Sequence, residues 1–316
     1  MKGVGRMSLP VAVLGVGHFG RFHALKAAKA GPLRLVAIHD ADPGRAASVS
    51  AELGVPALPV AEAIAAAEAV IVAAPTRFHA ALGRQVLEAG RHLFMEKPIA
   101  ASLEEGEALA ALAAARGKVL QVGHIERFSA AFRAVVAAPA NGRALHWEAV
   151  RAAPFRPRSL DVSVVLDLMI HDIDLVLTLA GDDPIEVRAT GARVMSDHAD
   201  FAVAQLTFPG GRTATITASR ISLAMERRLR VLGTEGEMSV DFLGRSLAVL
   251  RRGGAEPVAT MPEHGIDRAG WTDHDSLEAE QAGFARACLG EAPPEVPAEA
   301  GLRALRVALA VERAIG

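Results

Sequence analysis

The sequence contains a single cysteine, Cys288, and no excess of charge of either sign. One cysteine excludes an intramolecular disulfide framework and fits a reducing compartment. No apolar run reaches the about 18 residues that a membrane-spanning helix requires, and the first residues lack the apolar core of a signal peptide. The net charge is −2 and there is no run of basic residues, which excludes a general nucleic-acid binder. We therefore expect a cytoplasmic protein that binds small molecules.

The length predicts two domains. At 316 residues the chain exceeds the size at which a single hydrophobic core keeps growing, and its hydrophobic content of 51% suffices for two large cores. The pattern of predicted elements changes near residue 124. We therefore predict a cofactor-binding domain at residues 1–123 and a domain for substrate binding and oligomerisation at residues 124–316.

An apolar strand, Val11–Leu14, leads into a Gly-x-Gly-x-x-Gly turn, and the periodicity of a helix follows. Gly15 suits the tight turn, Gly17 allows a pyrophosphate to approach the backbone, and Gly20 allows the helix to pack on the strand. The positive end of that helix then faces the phosphates. The turn therefore predicts a dinucleotide site.

An acidic residue follows the second predicted strand, Leu33–His39, at the position where a ribose-binding carboxylate belongs. This residue, Asp40, accepts hydrogen bonds from a 2′-hydroxyl and repels a 2′-phosphate, so NAD is favoured over NADP. Arg45 lies close by and keeps the use of NADP open. The alternative is that Asp40 only caps a turn.

Strands and helices alternate regularly in the first half of the chain, which predicts an α/β fold: a Rossmann-type, doubly wound parallel sheet. The predicted elements include a short strand at residues 55–58 and a strand at residues 69–74 that is buried on both faces of the sheet. Ligands bind such sheets at the carboxyl ends of the strands. That edge carries the glycine turn, Asp40, Pro75, Thr76 and Lys97.

Strands follow strands in the second half, which predicts an α+β domain with a largely antiparallel, open sheet. A helix over Val162–Leu179 precedes most of these strands and ends at Gly181. An apolar sheet face without covering helices would seek a partner, so we expect a homo-oligomer formed through this sheet.

Two sets of residues carry the predicted chemistry. Lys97 follows a buried strand beside Glu96, where partial burial would suit it to donate to a reacting oxygen; the alternative is a surface lysine beside a glutamate. Asp167 and His171 are four residues apart on an apolar helix, which suits an oriented general base. A structural hydrogen-bonded pair is the alternative for that helix.

A metal site built from His171 and two neighbouring aspartates, Asp172 and Asp174, is a weaker interpretation. The two aspartates point elsewhere on the helix, and no cysteine or second histidine has the spacing of a ligand. We therefore predict no metal.

Several motifs together resemble the Gfo/Idh/MocA oxidoreductases over nearly the whole chain. They are Gly15-x-Gly17-x-x-Gly20, Ala74-Pro75-Thr76-x-x-His79, Ala89-Gly90-Arg91-His92, Glu96-Lys97-Pro98, Gln121-Val122-Gly123 and Asp167-x-x-x-His171. The resemblance implies the oxidation or reduction of a sugar or polyol carbon with a nicotinamide cofactor. It implies that His171 is the acid/base, that Lys97 polarises the reacting hydroxyl and that Asp167 supports them. Thr76 stands where many members have asparagine.

The glycine turn and this resemblance together predict the cofactor contacts. They are Gly15, Gly17, His18, Phe19, Gly20, Asp40, Pro75, Thr76, His79, Glu96 and Lys97.

The segments 123–128, 154–158 and 165–174 are similar to those of the bacterial UDP-N-acetylglucosamine 3-dehydrogenases, which supply a 3-keto sugar nucleotide for lipid A. Arginines suit a pyrophosphate through paired N–H donors. The predicted substrate contacts are Arg127, Arg156 and Arg158, and Arg151 lies in the same region. The alternative is a solvated arginine loop.

Three other functions stay open. An inositol or free-sugar dehydrogenase would share the catalytic residues without needing the arginines. A reductase of linear tetrapyrroles would not require His171, and a non-catalytic NAD-binding regulator would bind the cofactor without turnover.

Overall fold

The computed structural model describes residues 8–138, 143–156, 162–272 and 274–316. In the first part of the chain, strands and helices alternate. Their bounds are β1 Leu9–Leu14, α1 His18–Ala27, β2 Leu33–His39, α2 Pro43–Leu53, α3 Val60–Ala65, β3 Ala69–Val72, α4 His79–Glu88, β4 His92–Glu96, α5 Leu103–Ala115 and β5 Leu120–Gly123.

The later part begins with a helix and a long strand and then becomes rich in strands. The bounds are α6 Ala130–Ala137, β6 Ala144–Ala152, α7 Ile170–Ala180, β7 Glu186–Ala192, β8 Phe201–Thr207, β9 Thr213–Ser219, β10 Glu226–Gly233, β11 Gly236–Asp241, β12 Ser246–Arg252, β13 Glu256–Pro257, β14 His264–Gly270, α8 Ser276–Cys288 and α9 Ala298–Ile315. A π-helical turn, Val165–Met169, leads directly into α7.

Polar side chains fix the starts of several helices. The side chains of Asp42, Ser102, Ser129 and Asp275 each accept a hydrogen bond from the backbone N–H three residues further on. Such caps satisfy N–H groups that have no partner inside the helix. At its other end α7 stops at Gly181, whose left-handed backbone (φ 71°) favours glycine.

The chain divides into two compact units, and the first contains residues up to Ile125 together with Asp275–Leu302. Its described strands form a parallel sheet in the order β2-β1-β3-β4-β5. The strands are almost entirely buried, since helices cover both faces. Phe284 and Ala285 of α8 pack into a cluster with Val11 and Phe94 on one face.

The second unit contains Glu126–His274 and Arg303–Gly316. Its described strands form one sheet in the order β13-β14-β12-β11-β10-β6-β9-β8-β7, antiparallel except for the β6–β9 pair. Alternate residues of these strands, such as Trp147 and Ala149, face a core that they share with Val165, Met169 and Ile173.

The predicted fold class is confirmed: a Rossmann-type parallel sheet is followed by a mostly antiparallel sheet. Two local differences stand out. Residues 55–58 form only one bridge, from Ala57 to Ile38, because Pro56 lacks the N–H group that a continuous ladder needs. The predicted domain at 124–316 included residues 275–302, which pack with the first unit because α8 buries Phe284 there.

In the described part of the chain, no helix has both the length and the apolar character that crossing a membrane demands.

Candidate functional site

The glycine turn after β1 has the geometry that a dinucleotide requires. Gly15 has φ 85°, and a Cβ built on it would lie 2.7 Å from the backbone nitrogen of Ala74. A Cβ on Gly20 would lie 1.8 Å from the Gly15 carbonyl oxygen, so α1 can begin this close to the turn only with glycine. At Gly17 the nearest atom to such a Cβ, Nη1 of Arg45, is 3.9 Å away. The space above Gly17 is thus open to a ligand, as a pyrophosphate site needs.

Asp40 is held against this turn. Its Oδ2 accepts a hydrogen bond of 2.8 Å from the Val16 N–H, and its Oδ1 accepts one of 2.9 Å from the Asp42 N–H. Nη1 of Arg45 lies 3.2 and 3.3 Å from the two carboxylate oxygens. The carboxylate therefore links the glycine turn to the start of α2, next to where an adenosine ribose would lie.

A cavity of about 530 Å³ opens beside the glycine turn. Its lining includes the basic side chains His18, Arg21 and Arg45 together with the apolar Phe22 and Val49. Such a mixed lining suits a group that combines a flat apolar ring with phosphates. The residues present therefore fit the nucleotide half of NAD.

The turn after β3 joins the same edge of the sheet. Thr76 begins a short 3₁₀ turn, and Pro75 before it is exposed. His79 is buried, with its two ring nitrogens each 2.8 Å from a backbone oxygen, that of Pro98 or that of Ala74. Burial lowers the pKa of His79 and favours its neutral form. The side chain thus ties this turn to the residue after Lys97, and its contact with a cofactor stays a prediction.

The Glu-Lys-Pro segment follows β4, and its Lys97–Pro98 peptide bond is cis. Lys97 is half-buried, as expected for a lysine at the end of a buried strand. The Lys97 N–H donates a hydrogen bond of 3.2 Å to Oε2 of Glu96. Oε1 of Glu96 lies 2.7 Å from Nε2 of His23, which lies on α1. Glu96 thus holds the backbone of Lys97, a role that the sequence did not predict.

In the second unit, Asp167 and His171 lie where the π-helical turn passes into α7. Both are half-buried, whereas Val165, Met169 and Ile170 beside them are fully buried. A π turn widens the helix and is often found at functional sites. The predicted acid–base pair therefore lies at an irregular part of the helix, with its side chains partly accessible.

Ion pairs hold α7, the helix that carries His171, to neighbouring segments of the second unit. Nε and Nη2 of Arg151 lie 2.8 and 2.9 Å from the two Asp172 carboxylate oxygens, and its Nη1 lies 2.8 Å from Glu126. Nε of Arg127 donates a hydrogen bond of 2.7 Å to Asp174. Although burial alone would raise the pKa of Glu126, the Arg151 guanidinium lowers it.

These pairs bear on two predictions. Arg151 directs its donors to buried carboxylates rather than to a solvent-facing pyrophosphate site, and Arg127 likewise engages Asp174. Asp172 and Asp174 are the carboxylates of the alternative metal site, and each forms an ion pair with an arginine. Arg156 is exposed, and Arg158 lies outside the described residues.

A further network, which the sequence did not predict, fixes the chain before α7. Oδ2 of buried Asp200 accepts hydrogen bonds from three successive backbone N–H groups, residues 194–196. Its Oδ1 accepts one of 2.7 Å from Arg220, whose Nη1 donates to the Val162 carbonyl. Although burial opposes it, these donors lower the pKa of Asp200. The entry to the Asp167–His171 helix is thus held by Arg220, which lies 58 residues beyond Val162 and is itself paired with Asp200.

A Rossmann unit with this glycine turn, joined to a second unit with a partly exposed aspartate–histidine pair, defines an oxidoreductase that uses a nicotinamide cofactor. Residues 9–124 match the oxidoreductase family with an NAD-binding Rossmann fold, and residues 122–239 match the GFO/IDH/MocA C-terminal domain. The chain belongs to the Gfo/Idh/MocA family of oxidoreductases.

The chain is similar to UDP-N-acetylglucosamine 3-dehydrogenase of Acidithiobacillus ferrooxidans, with 40% identity over 96% of each chain. A solved structure of that enzyme matches with a TM-score of 0.92 over 98% of each chain, at 39% identity. Inositol 2-dehydrogenase of Rhizobium meliloti is 29% identical over 74% of this chain and 76% of its own length. The resemblance inferred from the motifs is thereby confirmed.

Proposed function

We propose that this protein oxidises a secondary hydroxyl of a sugar nucleotide, C3 of a UDP-N-acetylhexosamine, with NAD as the electron acceptor. The observation that carries the proposal is the 40% identity to a UDP-N-acetylglucosamine 3-dehydrogenase over 96% of both chains. Lys97, Asp167 and His171 are all present in the pattern on which the family resemblance rests.

In this proposal the residues have distinct roles. Neutral His171 accepts the proton of the reacting hydroxyl, and Lys97 donates a hydrogen bond to the same oxygen as it becomes a carbonyl. Asp167 orients His171 and raises its basicity. Bound NAD supplies the acceptor for the hydride that leaves the carbon. Arg156 and Arg158, and any donor of Arg127 not engaged by Asp174, would bind the pyrophosphate.

We infer NAD rather than NADP because Asp40 is a carboxylate beside the ribose position, with only 6% of its side chain exposed. Nη1 of Arg45 already contacts that carboxylate. A 2′-phosphate would therefore meet a fixed negative charge, and its compensating arginine is partly engaged. The expected result is a lower KM for NAD than for NADP.

The test follows reduced-nicotinamide absorbance when purified protein meets UDP-N-acetylglucosamine and NAD. We expect turnover, a loss of about 10²- to 10⁴-fold in kcat for His171→Asn and a loss of about 10²- to 10³-fold for Lys97→Met. Lys118→Met, which alters another lysine of the first unit, should keep wild-type activity.

Other outcomes point elsewhere. Turnover of myo-inositol but not of the sugar nucleotide would favour an inositol dehydrogenase. The similarity to an inositol 2-dehydrogenase is the observation that supports this second candidate. In an inositol dehydrogenase, Arg156→Gln should leave the KM for inositol unchanged. In a sugar-nucleotide dehydrogenase, the same substitution should raise the KM for the sugar nucleotide. NAD binding without turnover of any sugar would contradict the proposal.

Self-association and a cytoplasmic location also belong to this proposal. The sequence prediction rested on an apolar open face of the second sheet. That face instead carries mainly polar side chains, including Glu148, Arg228, Arg230, Thr215 and Thr217. Association through it would therefore use ion pairs and hydroxyls, and sedimentation at high and low salt tests for it.

A further inference from the structure

Three ionisable side chains meet in the interior of the first unit, behind the Glu-Lys-Pro segment. A ring nitrogen of His23 and one carboxylate oxygen each of Glu96 and Glu280 all lie within 4.8 Å of one another. His23 and Glu280 are fully buried, and Glu96 is 8% exposed. Within the described part of the chain, neither carboxylate oxygen of Glu280 has a hydrogen-bond partner. This cluster does not belong to the catalytic roles proposed above.

The hydrogen bonds around His23 determine where its proton lies. Nε2 of Gln281 is 3.0 Å from the His23 carbonyl oxygen and 3.1 Å from His23 Nδ1. Because the carbonyl can only accept, the amide nitrogen of Gln281 is the atom that faces His23. Nδ1 of His23 therefore accepts, and its Nε2 carries the proton that is donated to Glu96.

This proton distribution argues against a metal ion in the cluster. A metal ion would need the lone pair of Nε2, which carries the donated proton. Glu96 receives two donors, Nε2 of His23 and the Lys97 N–H, so it is the ionised member of the cluster. A Cβ on Gly123 would lie 2.8 Å from the Glu96 carboxyl group, so the position of the Glu96 side chain also depends on glycine at residue 123.

Glu280 has the opposite surroundings. The charged groups that act on it are Glu96 on β4 and Glu295 before α9, both negative, while the ring N–H of His23 on α1 donates its hydrogen bond to Glu96. Burial raises the pKa of Glu280, and the two glutamates raise it further. The side-chain oxygen of Gln121 is a second buried acceptor without a donor among the described residues. Both groups thus lack a hydrogen-bond donor among the described residues, which leaves a charge on Glu280 without compensation.

We propose that Glu280 is a neutral carboxylic acid in the folded protein and a positioning residue for Lys97, acting through Glu96. If Glu280 ionised, two carboxylates within 4.8 Å would repel each other and draw Glu96 away from the Lys97 N–H. The link to Lys97 rests on the function proposed above, whereas the protonation of Glu280 does not.

Glu280→Gln tests the protonation, because glutamine has the shape of the neutral acid. A carboxyl group with a raised pKa in the folded state binds a proton that the unfolded chain has released above the usual value of 4.5. Its contribution to stability is therefore complete below that pH and is lost as the pH rises towards its folded pKa. We expect the variant to match wild type near pH 4 (roughly the lower end of ordinary carboxyl titration) and to melt roughly 2–4 °C higher near pH 8.

Glu278→Gln is the matched control, because Glu278 lies on the same helix and is exposed. It should show no difference from wild type that grows with pH. A Glu280→Gln variant that melts lower than wild type at every pH would overturn the proposal, as would a stoichiometric metal ion in the purified protein. None of these readouts requires a substrate, so they remain informative if the proposed reaction is wrong.

Activity tests the positioning role. We expect the kcat of wild type to decline at alkaline pH as Glu280 ionises, and we expect Glu280→Gln to keep kcat without that decline. Glu280→Ala, assayed below its melting temperature, should lower kcat by about tenfold with little change in KM for NAD. Equal kcat values and identical pH profiles for all three proteins would refute positioning while leaving the protonation to be judged by melting.

Discussion

The glycines of the turn after β1 differ in what surrounds them. An added methyl group meets the carbonyl oxygen of Gly15 at Gly20 and open space at Gly17. The motif predicts both roles because the spacing of the three glycines is tied to the turn and to the start of α1. It does not predict how severe each substitution is, which depends on distances in the fold.

Gly20→Ala and Gly17→Ala should therefore fail in different ways. The first places Cβ at 1.8 Å from a backbone oxygen, so we expect poor folding and a loss of soluble protein. The second should fold like wild type but bind NAD about 10- to 100-fold more weakly, the effect of losing one charge-assisted hydrogen bond of about 1.5–3 kcal/mol. Thermal melting and NAD titration separate the two effects. A Gly17→Ala variant with unchanged NAD affinity would contradict a pyrophosphate at this position.

Single residues also show where sequence reasoning ends. Arginine chemistry made Arg127 a predicted substrate contact, but it did not identify the carboxylate partners of Arg127 and Arg151, which lie 47 and 21 residues away in the chain. Gln281 contacts His23 across 258 residues. A local motif identifies the type of residue, whereas its partner depends on the complete fold. The sequence thus predicted that Asp40 lies beside the glycine turn, but it did not predict that His23 contacts Glu96.

Among the elements, the helix of Asp167 and His171 shows both success and failure of the pattern. A run that is apolar on nearly every side, ending at Gly181, predicts a helix, and the structure has one. The same run does not predict the π-helical turn over Val165–Met169. A π turn differs from an α turn in which backbone groups are hydrogen-bonded, and the order of apolar residues does not determine that. The two-residue strand β13 and the seven-residue strand β14 were not predicted, because few of their residues are apolar.

The ion pair between Arg127 and Asp174 connects the segment before α6 to α7. The Asp174 side chain is 1% exposed, so Arg127→Met removes the guanidinium partner of a buried carboxylate and should cost about 3–5 kcal/mol. The double variant Arg127→Met/Asp174→Leu should recover most of that loss, because it removes both charges. Denaturant unfolding measures this difference.

The double variant also tests the predicted role of Arg127 in binding. If Arg127 contacts the sugar nucleotide, the KM for that substrate stays raised although stability has recovered. If the arginine serves only the ion pair, KM recovers together with stability. A single variant as stable as wild type would contradict the buried pair itself.

At the scale of the whole molecule, the chain returns to its first unit after building most of the second. Residues 275–302 are remote in sequence from the glycine turn, yet Phe284 packs in the same cluster as Val11, Val13 and Phe94. The predicted boundary at residue 123 follows the change in the order of elements. No local pattern tells an amphipathic tail helix which of two sheets it will cover, so this return could not be predicted.

Phe284 and Phe208 form a matched pair for testing this arrangement, because both are fully buried and lie in different units. Either substitution by alanine should cost about 3–5 kcal/mol. Phe284→Ala should accelerate hydrogen exchange in β1 and β3 and weaken NAD binding, because its cluster supports the strand that ends at the glycine turn. Phe208→Ala should accelerate exchange in β8 and β9 and leave NAD affinity unchanged. If Phe284→Ala instead left exchange in β1 unaltered, the packing of α8 would not support the strand that ends at the glycine turn.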